Sequence, residues 1–104
     1  MHSACPIIVK TSEWMRKDDP ERIQKTFTFS SRDKALFFLS ELLHMEDRLG
    51  HHAALLISEN KVTVQLRTKV VDQVTNLDLE YADIADQVAI DALNIGEAQD
   101  MNYE

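Results

Sequence analysis

The sequence predicts an α+β domain: a two-layer sandwich whose antiparallel sheet of about four strands carries helices on one face. Three observations lead there. Strand-type patterning occurs at 23–29, 53–57 and 62–68. Helical period occupies 32–48 and, further on, 75–95. The resulting order of strand, helix, hairpin and helix keeps the strands antiparallel and sends both helices to one side. The opposite sheet face then carries polar side chains, left to solvent or used for self-association. With 104 residues, 44% of them hydrophobic, the chain holds one core.

Each element has a local cause. Residues 1–12 form a flexible lead, because Pro6 opposes an early helix. Ser12-Glu13-Trp14-Met15 is read as a turn or short helix, broken at Asp18-Asp19-Pro20. Between Ile23 and Phe29 the residues favour strand, and alternation puts Phe27 and Phe29 on one side. Ser30-Ser31-Arg32-Asp33 supplies N-cap chemistry for the helix over 32–48. Along that helix Leu36, Leu39, Leu43 and Ala35, Phe38, Leu42 make a broad apolar stripe for burial on the sheet. Ser58-Glu59-Asn60-Lys61 is a hairpin turn, and Val62, Val64 and Leu66 face inward beyond it. Thr75 with Asp78 three residues on resembles a capping box and opens the last helix. Tyr81, Ile84, Ala85, Val88, Ala92 and Ile95 give that helix its apolar side, and Gly96 ends it near Ile95. The domain therefore spans 13–95, and 96–104 is a mobile acidic tail.

Charge and composition exclude several classes. The net charge is −7, and from Asp72 to Glu104 there are nine acidic residues and no Lys or Arg. Such a surface repels phosphate backbones, so no direct nucleic-acid partner is expected. The N-terminal basic residues Lys10, Arg16, Lys17, Arg22 and Lys25 alternate with acids and read as a solvated face. The acidic side of the last helix reads the same way. No run approaches the roughly 20 apolar residues a membrane span needs, and the first residues show no charged-then-apolar leader. A single cysteine, Cys5, forms no internal disulfide and is read as incidental. The expected location is cytoplasmic.

The adjacent pair His51-His52 stands where a loop enters a strand. Neighbouring side chains there point to opposite sides of the backbone, so the two imidazoles do different jobs. Histidine exchanges a proton near neutral pH, which makes the pair a candidate acid/base site. Metal binding by His44, His51 and His52 is not expected, since their spacing matches no standard ligand pattern. Trp14, Phe27, Phe29 and Phe38 are read as core.

The residues around the pair resemble a known signature. Asp47, three residues, then His51-His52-Ala53 is followed by Glu59, Asn60-Lys61-Val62, Thr68-Lys69 and Asp78. This resembles the pterin-4a-carbinolamine dehydratase (4a-hydroxytetrahydrobiopterin dehydratase) family, as a divergent member. That family's pattern is a charged residue, three residues, His-His-Pro, a hairpin-tip aromatic, Thr-His and a downstream Asp. No gap is needed between Asp47 and Asp78, and Phe27-Thr28-Phe29 with Ala35 and Phe38 match the preceding strand and helix. The similarity runs from about 14 to 92. Ala53 replaces the proline, Glu59 the aromatic and Lys69 the third histidine, while Asp72-Gln73-Val74 replaces a glycine-rich turn.

The resemblance implies a reaction. Water leaves a 4a-hydroxytetrahydropterin to give the quinonoid dihydropterin, with an acid protonating the hydroxyl and a base taking the N5 proton. The pterin is substrate, and no cofactor, metal or nucleotide is implied. His51, His52 and Lys69 would take the catalytic positions, and Asp47, Ala53, Glu59, Thr68 and Asp78 the substrate-binding ones. An ammonium is a poor proton relay near neutrality unless burial weakens its hold on the proton, though it hydrogen-bonds well to a hydroxyl or carbonyl. Reduced activity follows. The resemblance also implies a homodimer or homotetramer. A second reading stays open, a binding or assembly module on the same fold. One family member also serves as dimerisation cofactor of a homeodomain transcription factor, and a dehydratase-like branch assists Rubisco assembly in carboxysomes.

Overall fold

In a computed structural model the protein is described over residues 13–102, with side chains described through Asn94. The predicted lead, Cys5 and the last two residues lie outside that range. Four strands form one antiparallel sheet: β1 (Met15–Lys17), β2 (Arg22–Thr28), β3 (Ala54–Ser58) and β4 (Lys61–Leu66), in the order β1-β2-β4-β3. Two helices, α1 (Arg32–Leu49) and α2 (Asn76–Asn102), complete the two-layer α+β sandwich. No helix of the described residues is long and apolar enough to cross a membrane.

The strands alternate as a one-sided sheet requires. Ile23, Phe27, Val62, Val64 and Leu66 are buried, with Phe29 just past β2, while Thr26, Thr28 and Leu56 are exposed. On the outer face Thr26 and Thr63 share a hydroxyl hydrogen bond of 2.8 Å, and Gln65 donates to Gln24 at 3.2 Å. Phe38 of α1 packs on Phe27 and Phe29, with ring centroids 4.7 and 5.1 Å apart. The hairpin turn is Glu59-Asn60, with Ser58 paired to Lys61. Glu59 takes a left-handed φ of 56°, and Asn60 donates its side-chain N–H to the Phe29 carbonyl at 2.5 Å.

Five expectations are corrected. The segment around Met15 is a strand rather than a turn or short helix, held by pairing Met15 with Gln24 and Lys17 with Arg22. Lys25 is not solvated: its alternation places it on the inner face, with its ammonium 2.6 Å from Asp86 Oδ1 and 4.6 Å from the Phe27 ring centroid. Asp86 is accordingly not a solvent-facing acid, and it also accepts the Trp14 indole N–H. Leu36 and Leu43 leave the α1 stripe for solvent, because Ala35, Phe38, Leu42 and Met45 already fill the buried face. Finally, α2 continues through Gly96 to Asn102 instead of ending near Ile95. A helix-interior glycine costs only about 1 kcal/mol relative to alanine, and Glu97, Ala98 and Gln99 after it favour helix.

Both helix starts follow their sequence cues. The Ser31 hydroxyl accepts the Lys34 amide N–H at 3.3 Å, and α1 stops at Gly50, whose φ of 74° suits a left-handed cap. At α2, Asp78 accepts the Thr75 amide N–H at 2.9 Å, the back-bond of a capping box.

Candidate active site

The end of the sheet where β3 begins and β4 ends gathers the chemistry. Ala54 pairs with Gln65, and Ile23 with Leu66. Carried on in register, His52 lies two residues beyond Ala54 and Arg22 one beyond Ile23, and both fall opposite Arg67. Three residues beyond Ala54, His51 falls beside Thr68. Alternation sends His51 and Thr68 toward the helices, and His52, Arg67 and Lys69 toward the outer face. The adjacent histidines therefore part company.

On the helix side, His51 Nε2 lies 2.5 Å from Asp78 Oδ1. A carboxylate only accepts, so with Asp78 ionised Nε2 carries the proton and Nδ1 is left as acceptor. Asp78 has no exposed surface. Its Oδ2 accepts from the Thr68 hydroxyl at 2.8 Å as well as from the Thr75 amide, and Thr68 and Thr75 join their own hydroxyls at 2.7 Å. The first turn of α2 adds the positive end of the helix dipole beside this carboxylate. The imidazole is thus fixed in orientation and tautomer by a saturated buried acid.

A second buried acid steadies the same segment. Glu46, near the end of α1, uses Oε2 to accept the Tyr81 hydroxyl at 2.6 Å and the Ala53 amide N–H at 3.0 Å. It ties α1 to α2 and pins the residue that follows the histidine pair. Burial first, and then the Glu46 carboxylate, push the Tyr81 phenol well above its ordinary value.

On the outer face a cleft of about 360 Å³ is lined by His52, Lys69, Arg22, Arg67, Gln65 and Asp19, among others. His52 and Lys69 are exposed there. Arg67 pairs with Asp72 while its Nε is buried without a partner. Arg22 donates to the carbonyls of Asp18 and Pro20.

The residues the sequence nominated are therefore distributed unevenly. His51, Thr68 and Asp78 form one cluster, and His52, Ala53 and Lys69 meet in the cleft. Asp78 and Thr68 hold His51 and do not line the cleft. Asp47 is exposed, since one helical step of 100° turns it from the buried face that holds Glu46. Glu59 stands at the far end of the β3–β4 hairpin, roughly 16 Å away for five residues of strand. Neither joins the site within one chain. Glu46, Arg22 and Arg67 were not nominated as site residues in the sequence reading. Glu46 had a signal, an acid four residues after Leu42 on the stripe that α1 buries.

The family model described as pterin 4 alpha carbinolamine dehydratase matches residues 6–88, and the chain belongs to that family. It is 34% identical over 70 residues to a Thermosynechococcus vestitus protein provisionally named pterin-4-alpha-carbinolamine dehydratase, covering 67% of this chain and 74% of that one. A Rhizobium meliloti protein with the same provisional name is 34% identical over 80 residues, covering 77% of each chain. Among solved structures, a transcriptional coactivator/pterin dehydratase from Brucella melitensis superposes with a TM-score of 0.72 at 26% identity, over 82% of this chain and 90% of that one. A pterin dehydratase-like protein identified as a RuBisCO assembly factor in the alpha-carboxysome shares the fold, with a TM-score of 0.66 at 20% identity, over 74% and 89%.

Proposed function

We propose that this protein dehydrates a 4a-hydroxytetrahydropterin to the quinonoid dihydropterin, at a rate reduced by Lys69. The observation that carries this reading is the His51 imidazole held at 2.5 Å by the fully buried Asp78. Such a fixed imidazole, its proton on the carboxylate side and Nδ1 open, is arranged to pass a proton. In the elimination the 4a-hydroxyl takes a proton and leaves as water, the N5–H bond gives up its proton, and its electrons form the C4a–N5 double bond. His51, on the helix side of the sheet end, transfers protons to the edge of the pterin that reaches past the cleft to its Nδ1. His52, free in the cleft, orients the pterin with Lys69, which donates hydrogen bonds to a hydroxyl or carbonyl. Lys69 stands where the family pattern has its third histidine, so that imidazole is missing from the site. The pterin is substrate, and the elimination draws on no cofactor.

The test is the dehydration rate of freshly generated 4a-hydroxytetrahydropterin. The wild type is expected to exceed the uncatalysed rate, Lys69→His to exceed the wild type, and His51→Ala to lose about 10²-fold or more. A wild-type rate equal to the uncatalysed one sinks the proposal.

A second reading, an assembly or binding module on this fold, is favoured by one observation. Beside the cleft the turn after β4 displays Val70 at 93% exposure and Val71 at 50%, apolar surface suited to a protein partner. A homo-oligomer is expected under either reading.

A further inference from the structure

We infer that the outer-face cleft is an oxyanion site, and that the pterin it takes carries a phosphate or carboxylate on its side chain. This rests on the pterin reading above and narrows it to a ligand class. Across the sheet end Arg22, Arg67 and His52 fall in one row, with Lys69 two residues along from Arg67 on the same face. Arg22 and Arg67 are like charges on neighbouring strands and repel, so their approach is unfavourable until an anion joins them. Protein carboxylates supply only part of that charge. Asp19 lines the cleft and Asp72 pairs with Arg67, leaving three cations against two acids.

Arg67 and Lys69 serve a ligand's negative charge in different ways. Arg67 Nε is buried and is the one buried side-chain polar atom without a hydrogen-bond partner among the described residues. That atom is closed to solvent and the neighbouring Nη2 is held by Asp72, so Arg67 contributes charge to the cleft rather than a donor that a ligand reaches. Lys69 has no carboxylate within ion-pair distance among the described residues. Two guanidinium charges beside one cleft and the exposed Lys69 ammonium as donor suit the charge and acceptor oxygens of a phosphate or carboxylate. At about 360 Å³ the cleft has the size of a small-molecule site. In a chain of net charge −7 this positive island is local, so selectivity arises at the cleft and not from the general field.

The experiment compares three probes on the full chain by calorimetric titration at low and high salt: inorganic phosphate, 6-methyltetrahydropterin and tetrahydrofolate, whose glutamate tail is anionic. Tetrahydrofolate is expected to bind about tenfold more tightly than the neutral pterin at low salt, an advantage that shrinks as salt rises. Lys69→Gln should bring the ratio of the two affinities toward one. Equal affinities for the two pterins, or a ratio that Lys69→Gln leaves intact, overturn the anionic-pterin assignment. If neither pterin binds while phosphate does, the pterin reading falls and the oxyanion site stands. Failure of phosphate and both pterins to bind overturns both.

Discussion

Asp78 and Lys25 are charged groups with almost no surface, and the sequence revealed one but not the other. Asp78 could be read because its partner Thr75 is three residues away, inside a capping pattern. Lys25 pairs with Asp86 across 61 residues, and nothing local separates an inward lysine from the exposed ones around it. The same distance problem hid the catch on Glu46, whose donors Ala53 and Tyr81 come from two other segments. Lys25 also supplies a test. Its ammonium is 2.6 Å from Asp86 and otherwise faces Trp14 and Phe27. Asp86→Ala leaves that charge without its acid and should cost about 1–3 kcal/mol in denaturant unfolding. Adding Lys25→Met should recover most of the loss, because a well-packed apolar side chain substitutes well for a buried ion. Equal stability of Asp86→Ala and the wild type would mean that the pair is only a surface contact.

At the scale of elements, α1, β2 and the β3–β4 hairpin were legible because each has many residues of one period and its own cap or turn. β1 was not, since three residues carry no period and its strand state comes from pairing with β2. Two of the six residues of the predicted α1 stripe, Leu36 and Leu43, proved to face solvent for a related reason: periodicity gives a direction of burial, while packing sets its width. The Glu46–Tyr81 contact joins α1 to α2, and its pH dependence has a definite sign. The phenol is raised in the folded state above the unfolded value of about 10, so above that pH the unfolded chain loses a proton the folded one keeps. The stability from this group is therefore complete below about pH 10 and declines as pH rises beyond it. Tyr81→Phe should cost about 1–3 kcal/mol at neutral pH and flatten this part of the alkaline decline. Thermal melts of both proteins between pH 7 and 11 would read this, and parallel alkaline declines would count against it.

For the whole molecule, the sheet order leaves β3 at an edge, with the uncharged sequence Ala-Leu-Leu-Ile-Ser and Leu56 half exposed. An unprotected edge of this kind pairs readily with another strand, and a second copy is the partner this account expects. Sedimentation should find at least a dimer, with Leu56→Lys shifting it toward monomer; a monomeric wild type would contradict this. The fold and the end of the sheet that holds the site could be read from the chain, because the histidine spacing and the hairpin are local. That the two histidines part was legible from their adjacency, but which residues join each of them was not, since that depends on register across three strands. The central claim is that the His51 side of this division still transfers protons. Its most direct test is the rate at which freshly generated 4a-hydroxytetrahydropterin loses water, with the wild type set against His51→Ala at matched folded fraction. The wild-type rate is expected to exceed background and to fall about 10²-fold or more in the variant; identical rates for the two proteins would remove His51 from the proton transfer.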